Sequence, residues 1–545
     1  MKKLSKAVLT AITLAGMLAI PSQVQAGADS SPGDILGIVG SDTTYFVMNA
    51  LTDAHNLSNR YNPNGDKAVN IPPLVSANAN VEAGEATVAT ASWLKAARLA
   101  WPGGAVLPAD ANCTTQYVFG GAGSADTNQN GAIAAADDVE FTQVTSVPGG
   151  PTVSSVPGTY TVNLGVQPPN GSGDGQKAIK GTAVKGVTYA AGCLDIGRSS
   201  SAPTSSPCQT SNNTCESWAF ALDAIGWTSV PGNTSAAVSG GIVTADFYKI
   251  YQCATESIDV NGDLDYYDTG DMKIGYPKIR YWSQLTTGSN VSVEPAKIVP
   301  YRIQPGSGTG KDAASVFMGR SDGIDAQVLQ GCDGYPSATI NNLDGDTATS
   351  FTFPIVQEHD CRNVSDADKP NAICFYGYSR WVLQARSLET DKRNGAKFGK
   401  FGPQTSELKR PSFSTINSTS TRYKGTRYVY NVLPLNAGVD LDRTPDARRF
   451  VGVSKQSDAC IAAAVTSVIN ETTMVPATDC NFDGDVTDTN VALGGIPGFI
   501  CGDATARRII ASFGFKPIAS GATSGTVTGL GTSYCRLNQD ALSNS

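Results

Sequence analysis

The sequence predicts an α/β protein built as two lobes, with mixed, mainly parallel sheets and long loop insertions. Three observations predict it. Short apolar runs of strand length alternate with segments of helical spacing. Roughly 520 residues would remain after an N-terminal leader, more than one ordinary core can hold. Four turns rich in Gly, Ser and Thr each sit where a strand ends or a helix begins.

The first element is the leader. Met1-Lys2-Lys3, an apolar run from Ala7 to Ile20 and small residues at Val24 and Ala26 form an export signal over residues 1–26. The run is shorter than the roughly 20 residues of a membrane span, so no membrane insertion is expected. No cysteine lies near the cleavage site, which argues against a lipoprotein anchor. A periplasmic or secreted protein is expected. Losing Lys2, Lys3 and Lys6 with the leader moves the net charge from -8 to -11, which disfavours nucleic acid as a partner. A small anion held by short-range N–H donors remains compatible with an acidic chain. Twelve cysteines without CxxC zinc spacing read as disulfides. Cys208 with Cys215, and Cys361 with Cys374, could each close a small loop; the connectivity stays open.

Ile35 to Gly40 reads as a buried strand. Ser41-Asp42-Thr43-Thr44 then caps a helix through Phe46, Val47, Met48 and Leu51. Pro102 to Pro168 is Gly-, Ala-, Asn- and Thr-rich and reads as an insertion. Asn170 to Gly175 is a glycine-rich turn into a helix at Gln176–Lys180, and Leu194 to Ser200 is a strand ending in Arg198 and two hydroxyls. Trp218 to Val230 is extended, Phe247 to Tyr251 helical, and Ala372 to Tyr376 a buried strand. Between them, extended Lys297 to Tyr301 precedes Gly306-Ser307-Gly308-Thr309. A Ser-Gly-Thr that opens a helix aims backbone N–H groups and two hydroxyls at one point, an arrangement that holds phosphate-like anions.

Other chemistries fit less well. Gly306 to Lys311 fails as a nucleotide P-loop, because Pro305 stands where the first glycine must be and Asp312 where Ser or Thr would bind magnesium. His55 and His359 have no Cys or His at metal spacing and read as structural. No G-x-S-x-G elbow is visible, so catalysis is not expected. The insertions do carry a metal signal. Asp126, Asn128, Asn130, Ala132 (through its carbonyl) and Asp137, with Gly131 at the turn, match a half EF-hand calcium loop; Asp479, Asn481, Asp483, Asp485 (carbonyl) and Asn490 repeat it. Asp259 to Asp265 is a looser third candidate. Structural Ca²⁺ is the expected cofactor.

The ordered motifs Gly40–Thr44, Gly197–Ser200, Gly306–Thr309 and Gly425-Thr426-Arg427-Tyr428-Val429-Tyr430-Asn431-Val432 resemble the GSDTT, ARSS, GSGT and GxRxVYNV segments of the phosphate-binding periplasmic proteins of ABC importers. The calcium loops are similar to those of dockerins. The first resemblance implies a type II periplasmic-binding-protein-like fold. Residues 27–225 and 374–545 would form one lobe, with insertions at about 104–165 and 462–500, and residues 226–373 the other. It implies an oxyanion in the cleft, held by Thr43, Thr44, Ser172, Ser199, Ser200, Ser307, Gly308 and Thr309, and an ABC importer as membrane partner. The chain departs from the family in two places. Ser200 stands where the best-studied members have an aspartate that accepts the proton of monohydrogen phosphate, and Ile303 stands where they have an arginine. Arg198 could supply the missing cation, with Arg302 and Lys311 as further candidates. The resemblance therefore implies oxyanion capture more firmly than phosphate. The alternative is an extracellular scaffold that keeps the fold and docks a protein partner through its calcium loops.

Overall fold

The computed structural model describes residues 35–58, 67–71, 161–252 apart from short stretches, 277–287, 296–319 apart from 304–306, 353–434 apart from 390, 444–454, 496–518 and 535–537, with short strands and isolated residues between 62 and 140. The leader, most of both insertions, Gly306 and all ten expected calcium ligands lie outside these residues.

One large mixed sheet organises the chain. Its main path uses β1 (Ile35–Gly40), β2 (Lys67–Asn70), β3 (Ile196–Ser199), β4 (Cys215–Ser229), β5 (Val299–Pro300), β8 (Ala372–Gly377) and β9 (Thr426–Pro434). Their order in space is β5-β8-β4-β9-β3-β1-β2, and three short strands pair additionally with β4. The spine is β4, fifteen residues buried along their whole length. Both of its faces are covered, which explains a near-continuous apolar sequence. Trp218 and Phe220 pack into one core with Leu36, Met48 and Phe450, while Ala219 and Trp227 pack into the other with Phe247, Phe317 and Phe375.

The pairing of β4 changes along its length. Cys215 to Ala224 pairs with β9, and Ile225 to Ser229 pairs with β8, both antiparallel. The sheet thus has two sections that share β4. In the first, β1 pairs in parallel with β2 and β3, and β3 pairs antiparallel with β9. In the second, β5 runs parallel to β8. The expected parallel pairs are present at the flanks, but the centre is antiparallel.

Most elements fall where the sequence places them, including a helix at α3 (Thr244–Ile250). Two helix starts differ. The helix after β1 is α1 (Tyr45–Asn56); Thr44 is its N-cap by position but makes no side-chain capping bond, so the hydroxyls of Ser41 to Thr44 do not cap the helix. The helix expected at Gln176 begins earlier, as α2 (Ser172–Ile179), which puts Ser172 on its first turn. Both suggested small-loop disulfides are present, Cys208–Cys215 and Cys361–Cys374, together with Cys113–Cys193 and Cys501–Cys535. No described helix is long and apolar enough to cross a membrane.

Candidate functional site

The first wall of the site is made where β1, β3 and α2 converge. Gly40 ends β1 with φ +116°, in the region that favours glycine, and a Cβ there would lie 2.5 Å from the Arg198 carbonyl oxygen. That close approach seats the start of α2 against the ends of β1 and β3. Ser172 Oγ accepts the Ser200 N–H at 2.9 Å and lies 3.2 Å from Ser200 Oγ. Thr43 and Thr44 follow β1, both buried, and the hydroxyls of Thr44 and Ser41 have no hydrogen-bond partner among the described residues.

Two of the expected site residues in this wall are engaged elsewhere. Arg198 is fully buried and donates Nε to the Ser41 carbonyl at 3.1 Å, NH2 to the Gly40 carbonyl at 2.9 Å, and NH1 to the Ile38 carbonyl at 3.2 Å and to Asn70 Oδ1. Four of a guanidinium's five N–H groups are therefore used within the fold. Ser199 donates to the Ser201 carbonyl at 2.6 Å and accepts from Gln176, so its hydroxyl shapes a local turn.

The second wall comes from a parallel pair, β6 (Arg302–Ile303) with β7 (Ile355–Val356). Parallel strands exit at the same end, so the chain following β6 and the chain following β7 arrive together. After β6 comes Ser307, the N-cap of α4 (Gly308–Met318), whose Oγ accepts the Gly310 N–H at 3.0 Å. After β7 comes a tight turn closed by the Asp360 N–H to the Gln357 carbonyl at 3.1 Å, with His359 at φ +62°. This turn presents Glu358 and His359, and the Cys361–Cys374 disulfide ties the following residue to β8.

The two walls meet closely. Thr43 Oγ1 is 3.2 Å from Thr309 Oγ1, and a Cβ on Gly308 would lie 2.2 Å from Ser172 Oγ and 2.7 Å from Ser200 Oγ. Thr43, Ser172, Ser200, Ser307, Gly308 and Thr309 are thereby brought to one place from positions up to 266 residues apart. At its centre lies the Glu358 carboxylate, 3% exposed. Its Oε1 accepts the hydroxyls of Thr43 and Thr309, each at 2.5 Å, and its Oε2 accepts that of Ser307.

Burial pushes the Glu358 carboxyl up, but hydrogen bonds from His359, Ser307 and Thr309 outweigh it and hold the group below the usual carboxylate range. Beside it, Asp42 is pushed up to about 6, first by burial and then by the Glu358 charge. Arg380 braces this corner by donating to the Asp42 carbonyl at 2.7 Å while pairing with Glu389. Arg427, on β9, bridges Asp223 at 3.1 Å and Asp312 at 3.4 Å. Burial also pushes Asp312 up to about 6, against the pull of Arg427.

Asp42, Glu358 and His359 offer ligand atoms within 4.8 Å of one another, and the donor set does not fit a cation. His359 Nδ1 accepts the Gly377 N–H at 3.0 Å, which leaves the ring proton on Nε2. That nitrogen, 3.0 Å from both Glu358 Oε1 and Thr43 Oγ1, is a donor and not a ligand. The same proton prevents His359 from acting as a general base toward Thr43. His55, by contrast, is buried against Phe450 and Phe499, as a structural histidine would be.

Glu358 and His359 were not legible as site residues. The signal for them was a short β-branched strand followed by Gln357-Glu358-His359-Asp360, meaningful only once that strand is known to lie parallel to the one before Ser307.

No protein-family model matches the chain, and no curated protein matches it in sequence. Among solved structures, it is similar to an ABC-type phosphate transport receptor from Vibrio cholerae, at 15% identity over 66% of this chain and 88% of that one, with a TM-score of 0.31. It is also similar to PstS from Borrelia burgdorferi, at 11% identity over 73% of this chain and 87% of that one, with a TM-score of 0.29. Both identities and both TM-scores are low, so the chemistry of the site decides what the chain can bind.

Proposed function

We propose that this chain is an exported binding protein that captures a small tetrahedral oxyanion, phosphate or a close relative, and performs no reaction on it. One observation carries the reading: hydroxyls from Thr43, Ser172, Ser200, Ser307 and Thr309 converge around the N-terminus of α4, with Gly308 leaving no side chain in the way. Apart from the Glu358 carboxylate that Thr43, Ser307 and Thr309 now hold, the groups at this helix start are neutral O–H and N–H donors, which suit an anion. The buried hydroxyls of Ser41 and Thr44, without a partner among the described residues, flank Thr43 in sequence as further candidate donors. Delivery to an ABC importer outside the cytoplasm follows as the physiological setting. The loops at Asp126–Asp137 and Asp479–Asn490 are proposed as structural Ca²⁺ sites in the insertions.

Titration calorimetry of the full chain against phosphate, sulfate, arsenate and acetate tests the reading. Heat with at least one tetrahedral oxyanion is expected. Ser307→Ala combined with Thr309→Val should abolish it, each lost donor costing about 1–3 kcal/mol. Unchanged affinity in the double variant would move the site elsewhere.

A further inference from the structure

The proton inventory of the site has a consequence for how it is filled. A Ser or Thr hydroxyl carries one proton and can donate one hydrogen bond. Thr43 and Thr309 both spend theirs on Glu358 Oε1, and Ser307 spends its own on Oε2. His359 Nε2 adds a fourth donor at 3.0 Å to Oε1. While the carboxylate sits there, these groups have nothing left to give an incoming anion, and the anion would meet a like charge at contact distance. The bonds also cross between walls: Thr43 follows β1 in the first section of the sheet, whereas Ser307, Thr309 and Glu358 follow β6 and β7.

We propose that Glu358 is a tethered internal anion that occupies the hydroxyl nest when no ligand is bound and joins the two walls across Thr43, so that an oxyanion enters only by displacing it. This rests on the oxyanion reading above and adds the regulation of that site. The neighbouring groups feel the Glu358 charge. Burial first, and then that charge, push Asp42 up; burial pushes Asp312 up with a smaller contribution from Glu358, and Arg427 partly balances the local negative charge. A self-filled nest lowers apparent affinity by the fraction of molecules in which it is vacant.

The test is titration calorimetry of wild type, Glu358→Ala and Glu358→Gln with inorganic phosphate and with sulfate, beside thermal melts in sodium acetate. If Glu358 competes, Glu358→Ala should bind the better oxyanion at least about tenfold more tightly than wild type, the factor expected when the vacant fraction is a tenth or less. Glu358→Gln, which keeps the volume and safeguards folding, should change in the same direction. Free acetate should raise the melting temperature of Glu358→Ala by refilling the nest, and leave wild type unmoved. Equal or weaker oxyanion binding by both variants, with wild type binding measurably, would overturn the tethered-anion proposal and leave the oxyanion reading standing. An absence of heat in wild type and in both variants would overturn both.

Discussion

Gly308 gives the sharpest handle on whether the two walls meet as described. In Gly308→Ala the new Cβ would lie 2.2 Å from Ser172 Oγ, 2.7 Å from Ser200 Oγ and 2.9 Å from Ser172 Cβ. Rotating Ser172 relieves the first contact but not the third, and it strips the Ser200 N–H of the acceptor it holds at 2.9 Å. Leaving that buried donor unpaired costs about 1–3 kcal/mol, and moving α4 instead costs a similar overpacking energy of about 1–3 kcal/mol. Two residues on, Gly310→Ala is the control. Its Cβ would meet the Ile303 Cβ at 3.3 Å, tight enough that Ile303 must give by a few tenths of an ångström, a small cost set against a gain in helix propensity of up to about 1 kcal/mol. Chemical denaturation should therefore separate the two variants by about 2 kcal/mol, with Gly310→Ala close to wild type. In calorimetry, Gly308→Ala should lose at least about tenfold in oxyanion affinity, one donor's worth, while Gly310→Ala keeps it. A Gly308→Ala protein as stable and as tight as wild type would show that α4 does not start against Ser172 and Ser200, and the site would fall with it.

Arg427→Met removes the cation between Asp223 and Asp312 and should destabilise the chain by about 3 kcal/mol in urea, since the buried Asp223 and the partly buried Asp312 lose their ion-pair partner. Asp312, pushed up to about 6, holds its proton more tightly folded than unfolded. Its contribution is thus fully present below about pH 4 and lost as pH rises through 6, so Asp312→Asn should flatten the stability profile, by up to about 3 kcal/mol in total over about pH 3 to 7 and most steeply between about pH 4 and 6. Replacing Cys361 and Cys374 by serine should lower the unfolding free energy by about 3 kcal/mol, with a correspondingly lower denaturation midpoint, and weaken any effect of Glu358, whose turn that bond fastens. EDTA should lower the melting temperature if the insertion loops hold Ca²⁺; an unchanged melt counts against them.

Much of the site was legible because the chemistry is local. A strand, a Gly-Ser-Thr turn and a helix can be read from adjacent residues, and Ser307 behaves as the turn pattern requires. What failed to show depends on pairing at a distance. Arg198 reads as a cation beside a hydroxyl pair, yet its guanidinium is taken up by the carbonyls of Ile38, Gly40 and Ser41 and by Asn70, partners well over a hundred residues away that no local pattern reveals. Glu358 is placed by a β6–β7 register across more than fifty residues of intervening chain, which no local pattern encodes. The antiparallel centre of the sheet was hidden for a related reason. In β4 both faces are buried, and a mostly apolar strand without clean alternation does not reveal the direction of its neighbours.

The buried guanidinium of Arg198 changes what kind of electrostatics the pocket uses. The carbonyl oxygens of Ile38, Gly40 and Ser41 gather where β1 ends, and on their own they would present a negative rim to any anion arriving at Thr43. Arg198 neutralises that rim from behind, so its charge works by cancelling a repulsion in the scaffold and not by attracting the guest. A pocket built this way should bind almost equally in dilute buffer and in concentrated salt, because its donors are dipoles at contact range and its buried cation is shielded from the ionic atmosphere.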